Sequence, residues 1–120
     1  MDGTKRIEHV DLEVFYRDAL VAAGVSARVA EVEAQVGAEV DLCGVHSHGV
    51  RMLPGVVKNV LDGAMDVSSD IHVVNESPAH LLAEANGGMG RYTSAIAMDM
   101  AVERAREFGI GMVTVRGVGH

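Results

Sequence analysis

The sequence predicts an α/β fold in which helices come first and a small group of mixed strands follows. Three observations predict it. Helical periodicity dominates the chain as far as the histidine cluster at residues 46–48. Two short β-like runs then flank the turn Asn75-Glu76-Ser77-Pro78. A long amphipathic run follows, ends at Gly109, and is succeeded by an apolar run. The expected order is helix, helix, helix, strand, strand, helix, strand. It is read as one domain with a helical segment over about 1–63 and an α/β segment over about 64–120.

Each element has its own signal. Asp11 is placed to cap a first helix over 11–23, with Leu12, Phe15, Tyr16, Ala19 and Leu20 as its apolar stripe. Gly24 suits the left-handed position beyond its end. Ser26 caps a second helix in which Val29, Val32, Val36 and Val40 form the apolar rhythm, and Glu31, Glu33 and Glu39 fill polar positions. Ala30, Ala34, Gly37 and Ala38 make a smooth second side where another backbone could come close. Gly44 ends this helix. Pro54 sits at the start of a third helical piece over 55–62, stopped by Gly63, and residues 67–70 read as a loop. The strands are expected at 71–74 and 79–83. Asn86-Gly87-Gly88-Met89-Gly90 must be irregular. The long helix at 91–108 turns Ala95, Met98, Ala101, Val102 and Ala105 inward, and 110–115 reads as a buried strand apart from Gly111.

Composition narrows the possible functions. Of the 120 residues, 48% are hydrophobic and 22% charged, as in soluble globular proteins. Aromatic residues make up only 3%, so Val, Ala, Leu, Ile and Met must build the core, with the seven methionines as filler. A net charge of −7 argues against nucleic acid, whose binding rests on Lys and Arg neutralising phosphates, and against an anionic membrane surface. No run approaches the roughly eighteen apolar residues of a membrane span, and the charged start is unlike a signal peptide, so the expected location is the cytoplasm. The single cysteine, Cys43, excludes an internal disulfide and is expected to be buried and inert.

The densest chemistry lies in Val45-His46-Ser47-His48-Gly49-Val50-Arg51. Two imidazoles, a hydroxyl and a guanidinium are packed around one glycine there. A second polar turn, Arg116-Gly117-Val118-Gly119-His120, brings another histidine, and the two turns are expected to face one small polar substrate. Zinc needs three or four ligands, and a third beyond His46 and His48 would have to come from His72, His80, His120 or a carboxylate at no recognised spacing, so no metal is expected. The glycines of residues 87–90 fail the Gly-x-Gly-x-x-Gly pattern of a dinucleotide-binding turn because Thr93 holds the third place. By spacing alone, His120 is either an acid–base group of suitable pKa at a strand end or a frayed terminal residue.

The stretch Asp41 to Val50, followed by Leu53-Pro54, resembles the LDH2/MDH2 oxidoreductases, the family of malate, L-sulfolactate and ureidoglycolate dehydrogenases. The likeness continues through the glycine turn, the helix ending in Ala-Arg-x-x-Gly-Ile, and the strand ending in Val-Arg-x-x-x-His. It implies a non-Rossmann, L-sulfolactate dehydrogenase-like fold. It also implies hydride transfer between NAD or NADP and a small 2-hydroxy or 2-keto acid. His120 would be the proton donor and acceptor, and His48 would contact substrate and nicotinamide. Most members carry an arginine four residues and a tyrosine eight residues after that histidine, where Met52 and Val56 stand here. Arg51 is the nearest guanidinium, and with Ser47 it is the expected substrate contact. Members are longer, so the chain reads as a truncated N-terminal piece that exposes apolar surface and dimerises, aggregates or needs a partner segment. The alternative class is a non-catalytic interaction or assembly module that docks a partner on the smooth Ala/Gly face.

Overall fold

The computed structural model describes residues 3 and 5–119. The expected order of elements is present: α1 His9–Ala22, α2 Ala27–Leu42, α3 Leu53–Leu61, β1 His72–Glu76, β2 His80–Glu84, α4 Gly90–Phe108 and β3 Met112–Arg116. Two single-turn 3₁₀ segments, His46–His48 and Val50–Met52, carry the histidine cluster between α2 and α3.

The α1–α2 hairpin turns at Gly24, whose φ of 106° a side chain would strain, and Ser26 Oγ accepts from the Val29 N–H at 3.4 Å. Asp11 is not the cap of α1. The helix starts earlier, with Glu8 as an N-cap that makes no side-chain bond, which leaves Asp11 in the first turn where its charge suits the helix dipole. The smooth side of α2 is the buried one: Ala30, Ala34 and Ala38 are fully covered, and α1 packs on them. A Cβ on Gly37 would lie 2.8 Å from the Tyr16 ring, so a glycine there lets the ring pack against the helix. The main core joins Tyr16, Leu20, Val25, Val29, Leu53, Val60, Met65, Met89 and Tyr92. Both tyrosines belong to it, while Phe15, expected inward, is 59% exposed.

The sheet has the order β1-β2-β3, with β1 antiparallel and β3 parallel to the central β2. A turn closed by Ser77 N–H to the His80 carbonyl joins β1 to β2, and α4 carries the chain across to β3 as a parallel pair requires. Leu81 and Ala83 of β2 are buried, whereas no residue of β3 is. The expectation of a buried last strand therefore fails: β3 stands at the sheet edge and α4 covers only one of its faces. Met98 and Val102 of α4 are likewise exposed rather than inward. The cause is Gly111, which comes so close to α4 that a Cβ there would overlap the Ala101 carbonyl. That approach turns the Ala101 and Ala105 side of the helix to the sheet and the neighbouring residues outward. Cys43 is exposed at the C-terminal end of α2, not buried.

Candidate functional site

A cleft of about 590 Å³ opens where α2, the histidine segment, α3 and the start of α4 meet. One wall is His48 with Met52 and Val56, another is Val36 and Val40 of α2, and Arg91, Ser94 and Ala95 of α4 form a third. Val118 and Gly119 close the far side. The Met89–Gly119 bridge and the Gly119 N–H to Gly88 carbonyl bond at 2.8 Å hold that turn beside the entry to α4.

Two clamps fix the histidine segment. The first is Asp41. Its Oδ2 accepts from the Val50 N–H at 2.6 Å, and its Oδ1 lies 3.1 Å from His46 Nδ1. Gly49 passes so close above that carboxylate that a Cβ would overlap it. The second is Arg91, which donates to the His48 carbonyl at 2.5 Å and also to the Tyr16 hydroxyl, with its guanidinium 5.5 Å from the centre of the Tyr16 ring. His46 is thus drawn to Asp41, while His48 lines the cleft. Ser47 Oγ lies 2.8 Å from His48 Nδ1, which leaves Nε2 as the ring nitrogen available to a ligand.

Glu33 sits behind Arg91 and is only 3% exposed. Its Oε1 accepts from the Tyr92 N–H at 2.8 Å, and its Oε2 is 3.7 Å from the Arg91 guanidinium. A carboxylate from α2 therefore satisfies an amide in the first turn of α4, which has no cap of its own. Burial pushes the Glu33 carboxyl above its ordinary value, opposed by the Tyr92 N–H and Arg91. The Tyr16 hydroxyl is pushed up by the same desolvation, with Arg91 opposing. On the other side of the α4 entry, the buried Ser69 takes a strained φ of 53° and receives the Met89 N–H at 2.9 Å, fixing the residue that precedes α4.

Residues 7–120 match the family model described as malate/L-lactate dehydrogenase. The chain belongs to this family. It is 33% identical over 115 residues to a malate dehydrogenase of Pyrococcus abyssi, covering 96% of this chain and 32% of that protein. It is 32% identical over 103 residues to an L-sulfolactate dehydrogenase of Methanocaldococcus jannaschii, covering 86% and 30%. The solved malate dehydrogenase of Pyrococcus horikoshii OT3 superposes with a TM-score of 0.96 at 29% identity, over 100% of this chain and 34% of that one. The chain thus spans about a third of the length of these relatives.

In this member of the malate/L-lactate dehydrogenase family His48 lines the cleft, while Ser47 does not line it and touches it only through the His48 ring. Arg51 is exposed and does not line it, whereas Met52 does. In a 3₁₀ turn successive side chains diverge by about 120°, so residues 51 and 52 cannot share a direction. His120 lies outside the described residues; its neighbour Gly119 lines the cleft. Among the described residues no three His, Cys, Asp or Glu side chains gather as a metal site. Sequence reasoning missed Glu33, Asp41, Arg91 and the role of the Tyr16 hydroxyl. A signal for Glu33 existed: it falls on the Ala30–Gly37 side of α2, where close packing was expected and a carboxylate needs a partner.

Proposed function

We propose that the chain is the substrate-facing part of an NAD- or NADP-dependent oxidoreductase acting on a small 2-hydroxy or 2-keto acid. The observation that supports it is that His48 and Gly119, the residue before His120, line one cleft. In oxidation, His120 takes the proton of the C2 hydroxyl, and in reduction it returns it to the carbonyl oxygen. His48, held by Arg91 through its own carbonyl and by Ser47 through Nδ1, presents Nε2 to the substrate. Arg51, exposed just outside the cleft lining, would meet the carboxylate by turning its long side chain in over the rim. The nicotinamide, when bound, accepts or supplies the hydride at C2. The dinucleotide's pyrophosphate finds no place at the start of α4, because Glu33 already takes an amide of the helix end that would attract it.

The same reading makes the enzyme a cytoplasmic homo-oligomer, a dimer at least. The oligomer is supported by exposed apolar side chains such as Phe15, Leu42 and Ile110. The test is steady-state kinetics of the full-length protein that carries this chain, with His48→Gln and His120→Ala. Each variant is expected to lower turnover by about 10²–10⁴-fold. Activity within about twofold of the parent for either one removes that histidine from the mechanism.

A further inference from the structure

We infer that the cleft selects a monocarboxylate, a 2-hydroxy or 2-keto acid whose other end is apolar, and not a dicarboxylate. This rests on the oxidoreductase reading above and concerns the substrate of the same site. The walls that a substrate tail would touch are Val36, Val40, Met52, Val56, Met65 and Met89. An ionised group placed against them sheds its water and gains no hydrogen bond in return. Among the described residues two charged side chains line the cleft, Glu33 and Arg91, and they face each other at 3.7 Å. Arg91 is further engaged by the Tyr16 hydroxyl and the His48 carbonyl, so its charge is balanced and its geometry set before any ligand arrives. A second carboxylate would meet the Glu33 charge together with the apolar wall. Arg51, one residue before Met52, is exposed, stands outside the cleft lining and has no ion-pair partner among the described residues, so it could serve one carboxylate only, by turning in over the rim. One uncommitted cation outside the lining and an apolar floor together describe an acid with one charged end and a hydrocarbon side chain. The volume of about 590 Å³ leaves room for a branched four- or five-carbon chain.

The experiment compares kcat/KM of the full-length protein for 2-hydroxy-4-methylpentanoate and for malate, with NAD and with NADP. The apolar acid is expected to be preferred by about tenfold or more, the scale on which apolar pockets discriminate. Met52→Arg, which puts a cation into the wall, is expected to shift the ratio towards malate by about tenfold or more. Preference of the parent protein for malate overturns the inference, as does a ratio unmoved by Met52→Arg. Ligand-observed NMR with the two acids separates this failure from that of the underlying reading. Binding of the apolar acid over malate without turnover of either retains the selectivity and removes the dehydrogenase. Binding of neither removes both.

Discussion

Glu33 offers a test of what a buried carboxylate contributes here, because two replacements separate its charge from its hydrogen bond. Glu33→Ala removes the acceptor of the Tyr92 N–H and the counter-charge of Arg91 in one step. An unsatisfied buried donor costs about 1–3 kcal/mol, and breaking a buried ion pair costs about 3–5 kcal/mol. The two overlap, since one carboxylate serves both, so the expected loss is about 3–4 kcal/mol. Glu33→Gln keeps an oxygen for the Tyr92 N–H and discards the charge. Desolvation is the largest influence on Glu33, so its charge costs more to hold in the folded protein than in water, and the glutamine, which keeps the bond without that cost, is expected to lose clearly less than the alanine at pH 7. The pH dependence has a definite sign. A carboxyl whose folded pKa is raised binds more protons when folded, so its contribution is fully present below the ordinary carboxylate value and is lost as pH rises through the folded value. Against Glu33→Gln, the parent should therefore lose ground as pH rises from about 4.5. Urea unfolding at a series of pH values measures all three proteins. If glutamine costs as much as alanine at pH 7, and the gap does not change with pH, then the charge is what stabilises and the argument from desolvation is wrong.

The two clamps on the histidine segment give further tests. Gly49→Ala would drive a methyl group into the Asp41 carboxylate that accepts the Val50 N–H, and is expected to cost about 1–3 kcal/mol in urea unfolding. In a double-mutant cycle with Asp41→Ala the combined loss should be less than the sum, because the obstacle has gone; additive losses would show that the two residues act separately. Arg91→Lys cannot hold the Tyr16 hydroxyl and the His48 carbonyl with one fork. In the full-length protein it is expected to lower kcat by up to about 10²-fold, the scale of an ångström of misplacement, with unchanged circular dichroism. A parental kcat would mean that the His48 backbone holds its position without Arg91.

The fold was legible wherever a local signal sufficed. Gly24, Gly44, Gly63 and Gly109 all adopt positive φ where the chain was expected to turn, and Ser26 caps α2. What was not legible is which of two plausible faces of a helix turns inward. On α2 the valine rhythm suggested the core, yet Val36 and Val40 line the cleft while the alanines are covered, because close helix–helix approach rewards small side chains as much as large ones. On α4 the inward face is set by the contact with Gly111, a residue outside the helix, so no periodicity within the helix could reveal it.

The glycine-rich entry to α4 shows how the same local structure can serve opposite ends. A strand, a glycine-dense turn and a helix do follow one another from β2 to α4, as in a nucleotide-binding unit, and the helix end is as electropositive as any other. The difference lies in Glu33, fifty-nine positions away from the amide it accepts. With that carboxylate in place, the Tyr92 amide of the helix end is already taken, and Arg91 is drawn into the same network rather than towards a phosphate. The missing third glycine is then a consequence and not merely a failed pattern: Thr93 stands there, fully buried, its hydroxyl donating back to the Met89 carbonyl at 3.0 Å. A turn that would elsewhere grip a cofactor instead positions Arg91, and through it the backbone of His48.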